Sequence, residues 1–176
     1  MTEPTLDPLV RQAVLSNDVA CEVLACDPDL ADTAAFCAHY GFAVEQAANT
    51  ILVASRKVTP AKYAACVVLG TTRLDVNKKV SELLGVKRLS FADAETTIAL
   101  TGMMIGGVTA FGIEGLPIYV DSAVLAQPRV VMGGGNRSSK LLLDPHELTR
   151  LSGVEVVEGL ALPRDPTPGA AAPGTP

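Results

Sequence analysis

The sequence predicts one compact α/β domain built around a mixed sheet, and three observations carry that prediction. Strand-like and helix-like segments interleave along the chain. Several of the connections between them are too short for right-handed β-α-β crossovers, which favours a mixed sheet over an all-parallel one. Finally, 48% of the 176 residues are hydrophobic and 19% are charged, a composition that folds and that suits a single core at this length. With no Trp and 4% aromatics, that core must be aliphatic and alanine-rich.

The elements follow from local signals. Asp7-Pro8 places an N-cap before a proline at the first helical position, so residues 8–16 are expected as a short helix. The run VACEVLAC (19–26) reads as a strand. Asp32 then caps a helix through Tyr40 that Gly41 stops. NTILVAS (49–55) and KYAACVVLG (62–70) are apolar strands separated by a turn containing Pro60. From Asp75 to Leu84, the residues Val76, Val80, Leu83 and Leu84 share a helical face, with Lys78 opposite it and Lys79 near its edge, and Gly85 ends the helix. KRLSF is a short strand, and Asp93 caps a helix to Thr101 with Gly102 as its stop. Residues 116–120 and 128–132 read as strands, and GGGNRSS (133–139) as a tight turn into KLLL. Asp144-Pro145 repeats the cap-plus-proline signal before a helix to about Leu151, and VEVVEG is a last strand. The domain is therefore expected over 1–162, with the Pro/Ala/Gly-rich residues 163–176 as a disordered tail.

Composition also excludes functions. No apolar run reaches the roughly 18 residues of a membrane span, and the acidic start MTEPTLDP lacks a basic-then-apolar leader, so a cytoplasmic protein is expected. Cys21, Cys26, Cys37 and Cys66 form no CxxC, and His39 and His146 are the only histidines, so neither a metal site nor a bound cofactor is expected. Net charge is −5, which argues against a DNA binder, but the charge is uneven. Residues 1–50 hold one Arg against eight acids, whereas 51–88 hold eight basic residues against two acids. That basic middle is either an anion-binding face or a set of charges scattered over the surface.

The stretch TGMMIGGVTAFG (101–112) offers no acid, base or nucleophile before Glu114. GGGNRSSK lacks P-loop spacing, IGGVTAFG follows a helix rather than a strand and so is no dinucleotide fingerprint, and no Gly-x-Ser-x-Gly elbow exists. What the stretch presents is backbone. Paired glycines let N–H groups approach a ligand with no Cβ in the way, and donors aimed at an ester carbonyl would stabilise its oxyanion. The alternative is a bend that needs only the permissive φ values of glycine.

TGMMIGGVTAFG followed by LPIYVD resembles the Thr-Gly…Gly-Gly-x-x-Pro-x-Gly…Pro-x-x-x-Asp pattern of the YbaK/ProX family, whose members deacylate mischarged tRNA, freestanding or inserted in prolyl-tRNA synthetases. LDVNKKVSELLGVKRLSFADAE and VVMGGGNRSSKLLLDPHEL are similar to further family segments, and the resemblance spans about residues 19–160. It implies a mixed sheet wrapped by helices, with a pocket for an aminoacyl ester and the terminal adenosine of tRNA. It also implies that Gly106 lies beside the scissile ester, that Gly107 shapes the loop, and that water or a group on the substrate attacks. Two departures stand out: active members usually carry Lys where this chain has Asn49, and Pro where it has Ala110. An amide keeps hydrogen-bonding capacity but loses the charge; Lys57 or Lys62 is near enough in sequence to be considered as a replacement.

Carried onto this chain, the resemblance implies Gly106, Gly107 and Asn49 as catalytic positions. It implies Asp32, Thr33, Thr50, Thr109, Phe111 and Asp121 as substrate contacts, with Tyr40 and Phe42 as further aromatic candidates. Lys78, Lys79, Lys87 and Arg88 would meet phosphates of the tRNA acceptor end. The first expectation is a freestanding trans-editing deacylase. The second is a non-catalytic module of the same fold that holds aminoacyl-tRNA, nucleotide or amino acid, and a third is a hydrolase of small esters.

Overall fold

The computed structural model describes residues 4–164. Helix α1 (Pro8–Ser16) starts as expected, with the Asp7 carboxylate accepting from the Leu9 N–H at 2.9 Å and Val10 and Val14 buried. Strand β1 covers Glu22–Ala25 only. The residues before it are committed elsewhere: Val19 N–H closes back on Val14 and Ala20 N–H donates to Glu147. Helix α2 (Thr33–Tyr40) ends at left-handed Gly41. Strands β2 (Ala48–Ser55) and β3 (Tyr63–Leu69) pair antiparallel, and β4 (Thr72–Leu74) follows. The helix expected over 75–84 divides into a wide π turn, Val76–Val80, and α3 (Ser81–Leu84). Then come β5 (Leu89–Phe91) and α4 (Ala94–Thr101), whose Asp93 cap accepts from Thr96 N–H at 2.7 Å.

Beyond the glycine loop lie β6 (Ile118–Asp121), α5 (Ser122–Leu125), β7 (Val130–Gly133) and β8 (Ser139–Leu143). Strands β6 and β7 begin two residues later than the sequence indicates, after Pro117 and Pro128, which have no N–H to give a ladder. The segment Pro145–Arg150 winds as a 3-10 helix rather than an α-helix, and β9 (Val154–Val157) and β10 (Ala161–Pro163) end the described chain. Of the tail expected from 163, Pro163 pairs with Thr72 and Arg164 donates to the Thr72 carbonyl; residues 165–176 lie outside the described residues.

The single sheet of the sequence reading becomes three. The largest has the order β5-β2-β3-β6-β9 and is mixed: β5, β2 and β3 run antiparallel, while β6 joins β3, and β9 joins β6, in parallel. An antiparallel sheet β1-β8-β7 abuts it through a bridge between Ala47 and Val131, and β10 pairs with β4. Both faces of β3 are covered, which is why it reads as an unbroken apolar run. Ala65 and Val67 face a core with Phe111, Met103 and Leu141; Ala64, Cys66 and Val68 face another with Leu74, Val80 and Leu160. Burial pushes the Cys66 thiol up to about 12. A third cluster gathers Phe36, Cys37 and Leu142 beneath α2. Among the described residues no helix is long and apolar enough to cross a membrane.

Phe111 is fully buried in the first core. Phe111→Ala is expected to cost about 3–5 kcal/mol of unfolding free energy in a urea titration.

Candidate active site

A cavity of about 350 Å³ opens where the two larger sheets meet. Its floor is β2 from Ala48 to Leu52, one wall is the start of α2, another is β7 with β8, and the glycine loop closes over it at Ile105, Gly106 and Val108. The antiparallel β7–β8 hairpin sets the chemistry, because its turn and second strand send two cations toward the loop.

Those cations fix the peptides on either side of Gly106. Arg137 Nη1 donates to the Ile105 carbonyl at 3.0 Å and its Nε to the Pro28 carbonyl at 2.9 Å, while Asp32 pairs with it at 3.3 Å. Lys140 Nζ donates to the Gly106 carbonyl at 3.0 Å and to the Ala31 carbonyl at 2.7 Å. A trans peptide points its N–H opposite its C=O. With the Ile105 oxygen held by Arg137, the Gly106 N–H is therefore turned away from the guanidinium, and it donates to no acceptor among the described residues. Gly106 has φ +91, and a Cβ there would strike Arg137 Nη1. Both facts require glycine.

Gly107 has a different part. Its N–H is committed to the Met104 carbonyl and its carbonyl to Gly135 N–H, and it does not line the cavity. A Cβ on it would fall on the Asn136 backbone. Gly107 thus lets the loop lie directly on the β7–β8 turn.

Lys140 is 7% exposed, with its ammonium 5.4 Å from the centre of the Phe36 ring. Burial holds its pKa below the ordinary lysine value, with Arg137 adding to that shift while Cys26, Asp32 and Cys37 oppose it. The carbonyls of Ala31 and Gly106 do not cancel its charge as a carboxylate would. Nothing in its sequence neighbourhood marks it except its occurrence inside an apolar strand, and the sequence reading passed over it. Lys57 and Lys62, the replacements considered there, do not line the cavity, and Lys62 Nζ donates to the Leu84 carbonyl.

The other expected residues divide in two. Asp32, Thr33, Asn49 and Thr50 come together at the cavity. Asn49 Oδ1 accepts from Thr33 Oγ1 at 2.8 Å, and Thr50 Oγ1 is buried with no partner. Thr109, Phe111 and Asp121 are buried away from the lining. Burial raises the Asp121 carboxyl, opposed by the backbone N–H groups of Leu160, Ala123 and Ser122 around it, and its side chain makes no cap bond to α5; Phe111 is core. Tyr40 and Phe42 pack on Phe36, and Tyr40 Oη accepts from Asp27 N–H. The exposed aromatic at the cavity mouth is Phe91 at the end of β5, 60% exposed, which the sequence reading also passed over. His146 pairs with Asp144 at 2.9 Å and His39 lies edge-on to Tyr40, both outside the cavity. Lys78, Lys87 and Arg88 are exposed and Lys79 half-buried, on the π turn and the approach to β5, which pack against one another. Among the described residues no three His, Cys, Asp or Glu side chains gather as a metal site.

A family model described as "Aminoacyl-tRNA editing domain" matches residues 27–151, which contain every wall of this cavity. The chain belongs to that family. A crystal structure described as a candidate trans-editing enzyme for prolyl tRNA synthetase is 27% identical, with a TM-score of 0.73 over 88% of this chain and 98% of that one. A hypothetical protein of known structure is 24% identical, with a TM-score of 0.77 over 88% of this chain and 99% of that one, and it shares the fold. The editing-domain architecture therefore accounts for nearly the whole described chain.

Two outcomes test this geometry. Gly107→Ala is expected to destabilise the fold by about 1–3 kcal/mol in chemical denaturation, because the Asn136 backbone must move. The second concerns the buried ammonium. A pKa lowered in the folded state means that the unfolded chain binds more protons between that value and 10.5. Stability relative to Lys140→Met is therefore expected to rise with pH across this window, and a difference that stays flat there would show that Lys140 is not buried as charge.

Proposed function

We propose that this editing-domain chain is a freestanding deacylase that hydrolyses the ester linking a mischarged amino acid to tRNA, acting in trans in the cytoplasm. The observation that carries the reading is Gly106: a cavity-lining glycine with an unspent N–H, held in orientation by cations on both flanking carbonyls. Its N–H would donate to the ester carbonyl, most strongly as negative charge develops on the oxygen. Water or a hydroxyl of the substrate would attack, which suits a cavity lined by no histidine. No cofactor or metal enters this scheme.

Asn49, Asp32, Thr33 and the unpartnered Thr50 hydroxyl would receive the aminoacyl and ribose polar groups. Lys78, Lys79, Lys87 and Arg88 would meet the phosphates of the acceptor end. Strand β5 connects the two, since Arg88, just before it, and Phe91, its last residue, lie about 10 Å apart by strand rise, and Phe91 offers a face on which a base can stack. Editing of this kind answers a real need, because packing alone discriminates similar small side chains by only about a hundredfold.

Asn49 gives specific support to a second reading, a non-catalytic module that binds aminoacyl-tRNA. Its amide is neutral and already bonded to Thr33. Deacylation of Ala-, Ser- and Cys-charged tRNA by the wild-type protein separates the two. Under the deacylase reading one ester is lost well above its spontaneous rate, and Gly106→Val abolishes that loss. Saturable binding of the same tRNAs with no ester loss supports the module instead.

A further inference from the structure

We propose that Lys140 is the catalytic cation of this cavity, its ammonium stabilising the charge that develops on the ester carbonyl oxygen from β8 rather than from the Asn49 position on β2. The proposal rests on the deacylase reading above and assigns its electrostatic component to a residue on β8.

Three observations support it. Lys140 is the one cationic side chain lining the cavity among the described residues. Its ammonium has three donors, of which two go to the Ala31 and Gly106 carbonyls, so a third is left for a ligand. It is hydrogen-bonded to the residue that would hold the ester, so a carbonyl oxygen received by the Gly106 N–H lies in its immediate surroundings. Arg137 cannot substitute: it is spread over three protein oxygens and neutralised by Asp32, and it does not line the cavity. Burial on Phe36 keeps water from screening the ammonium, which strengthens its field at the reacting atoms.

In the step itself, water adds to the carbonyl carbon and the carbonyl π pair moves onto oxygen. That oxyanion is what Lys140 and the Gly106 N–H stabilise. Its collapse breaks the carbon–oxygen bond to the ribose. One proton of the water ends on the ribose oxygen and the other is released to solvent from the free carboxylic acid, while Lys140 keeps its proton throughout.

The test measures kcat and KM on the best substrate among Ala-, Ser- and Cys-tRNA for wild type, Lys140→Met, Asn49→Lys with Lys140→Met, and Lys62→Met. Methionine is unbranched and nearly as long, and it removes a desolvated charge, so circular dichroism and the thermal midpoint are expected to show a folded variant. Lys140→Met is expected to lower kcat about 100-fold with KM within about threefold. Adding Asn49→Lys, which returns an ammonium from the floor of the cavity, is expected to recover at least about tenfold, a rescue that a purely structural role for Lys140 would not give. Lys62→Met keeps the wild-type rate. A Lys140→Met variant with kcat within about threefold of wild type, a loss confined to KM, or no recovery on adding Asn49→Lys overturns the proposal while leaving the deacylase reading in place. A wild type inert on every substrate overturns both.

Discussion

The cavity depends on one buried ammonium. Lys140 reaches from β8 over the Phe36 ring and ties two segments that no sheet connects, the Ala31 end before α2 and the glycine loop at Gly106. Burying a charge is costly unless its donors are used, and here two carbonyls use them. Hydrogen bonds from a charged donor contribute about 1.5–3 kcal/mol each, enough to order a loop that has no regular structure of its own. Arg137 makes a second tie between the same segments, from the Ile105 carbonyl to Pro28 and Asp32, and the loop also rests on the β7–β8 turn through Gly107 and Gly135.

The sheets serve this arrangement. The mixed sheet brings β2 under the cavity, and the Ala47–Val131 bridge sets the second sheet beside it, so residues of both sheets line the cavity. Arg137 holds the loop from outside the lining, through the Pro28 and Ile105 carbonyls. It takes the Asp32 carboxylate that the sequence reads as a helix cap; Asp32 makes no side-chain cap bond, and α2 begins without one. A local helix signal has thus been diverted into a long-range ion pair 105 residues away in sequence.

Fold class and the order of the elements were legible in the sequence, because capping aspartates, stop glycines and apolar runs are local signals, whereas Gly106 was singled out only by the resemblance of its loop to a family pattern. The halves of the site that came from neighbouring residues were legible too: Asp32 with Thr33, and Asn49 with Thr50, line the cavity. Lys140, Arg137 and Phe91 were not. Lys140 and Phe91 reach the cavity, and Arg137 reaches the loop that closes it, through strand pairing between distant segments, and spacing along the chain carries no trace of that. Thr109, Phe111 and Asp121 illustrate the converse, since residues close to a motif in sequence turned inward and are buried away from the cavity.

Strand β5 has a further consequence, for the solubility of the molecule. It forms one edge of the five-stranded sheet, where unpaired backbone groups invite a strand from another copy. With three residues it offers too few such groups to template an added strand, and Lys87 and Arg88 set two like charges at its entry. A second copy approaching edge to edge would bring the same positive pair against the first. The cations that suit this edge to a polyanion therefore also keep it from recruiting its own kind into a growing sheet.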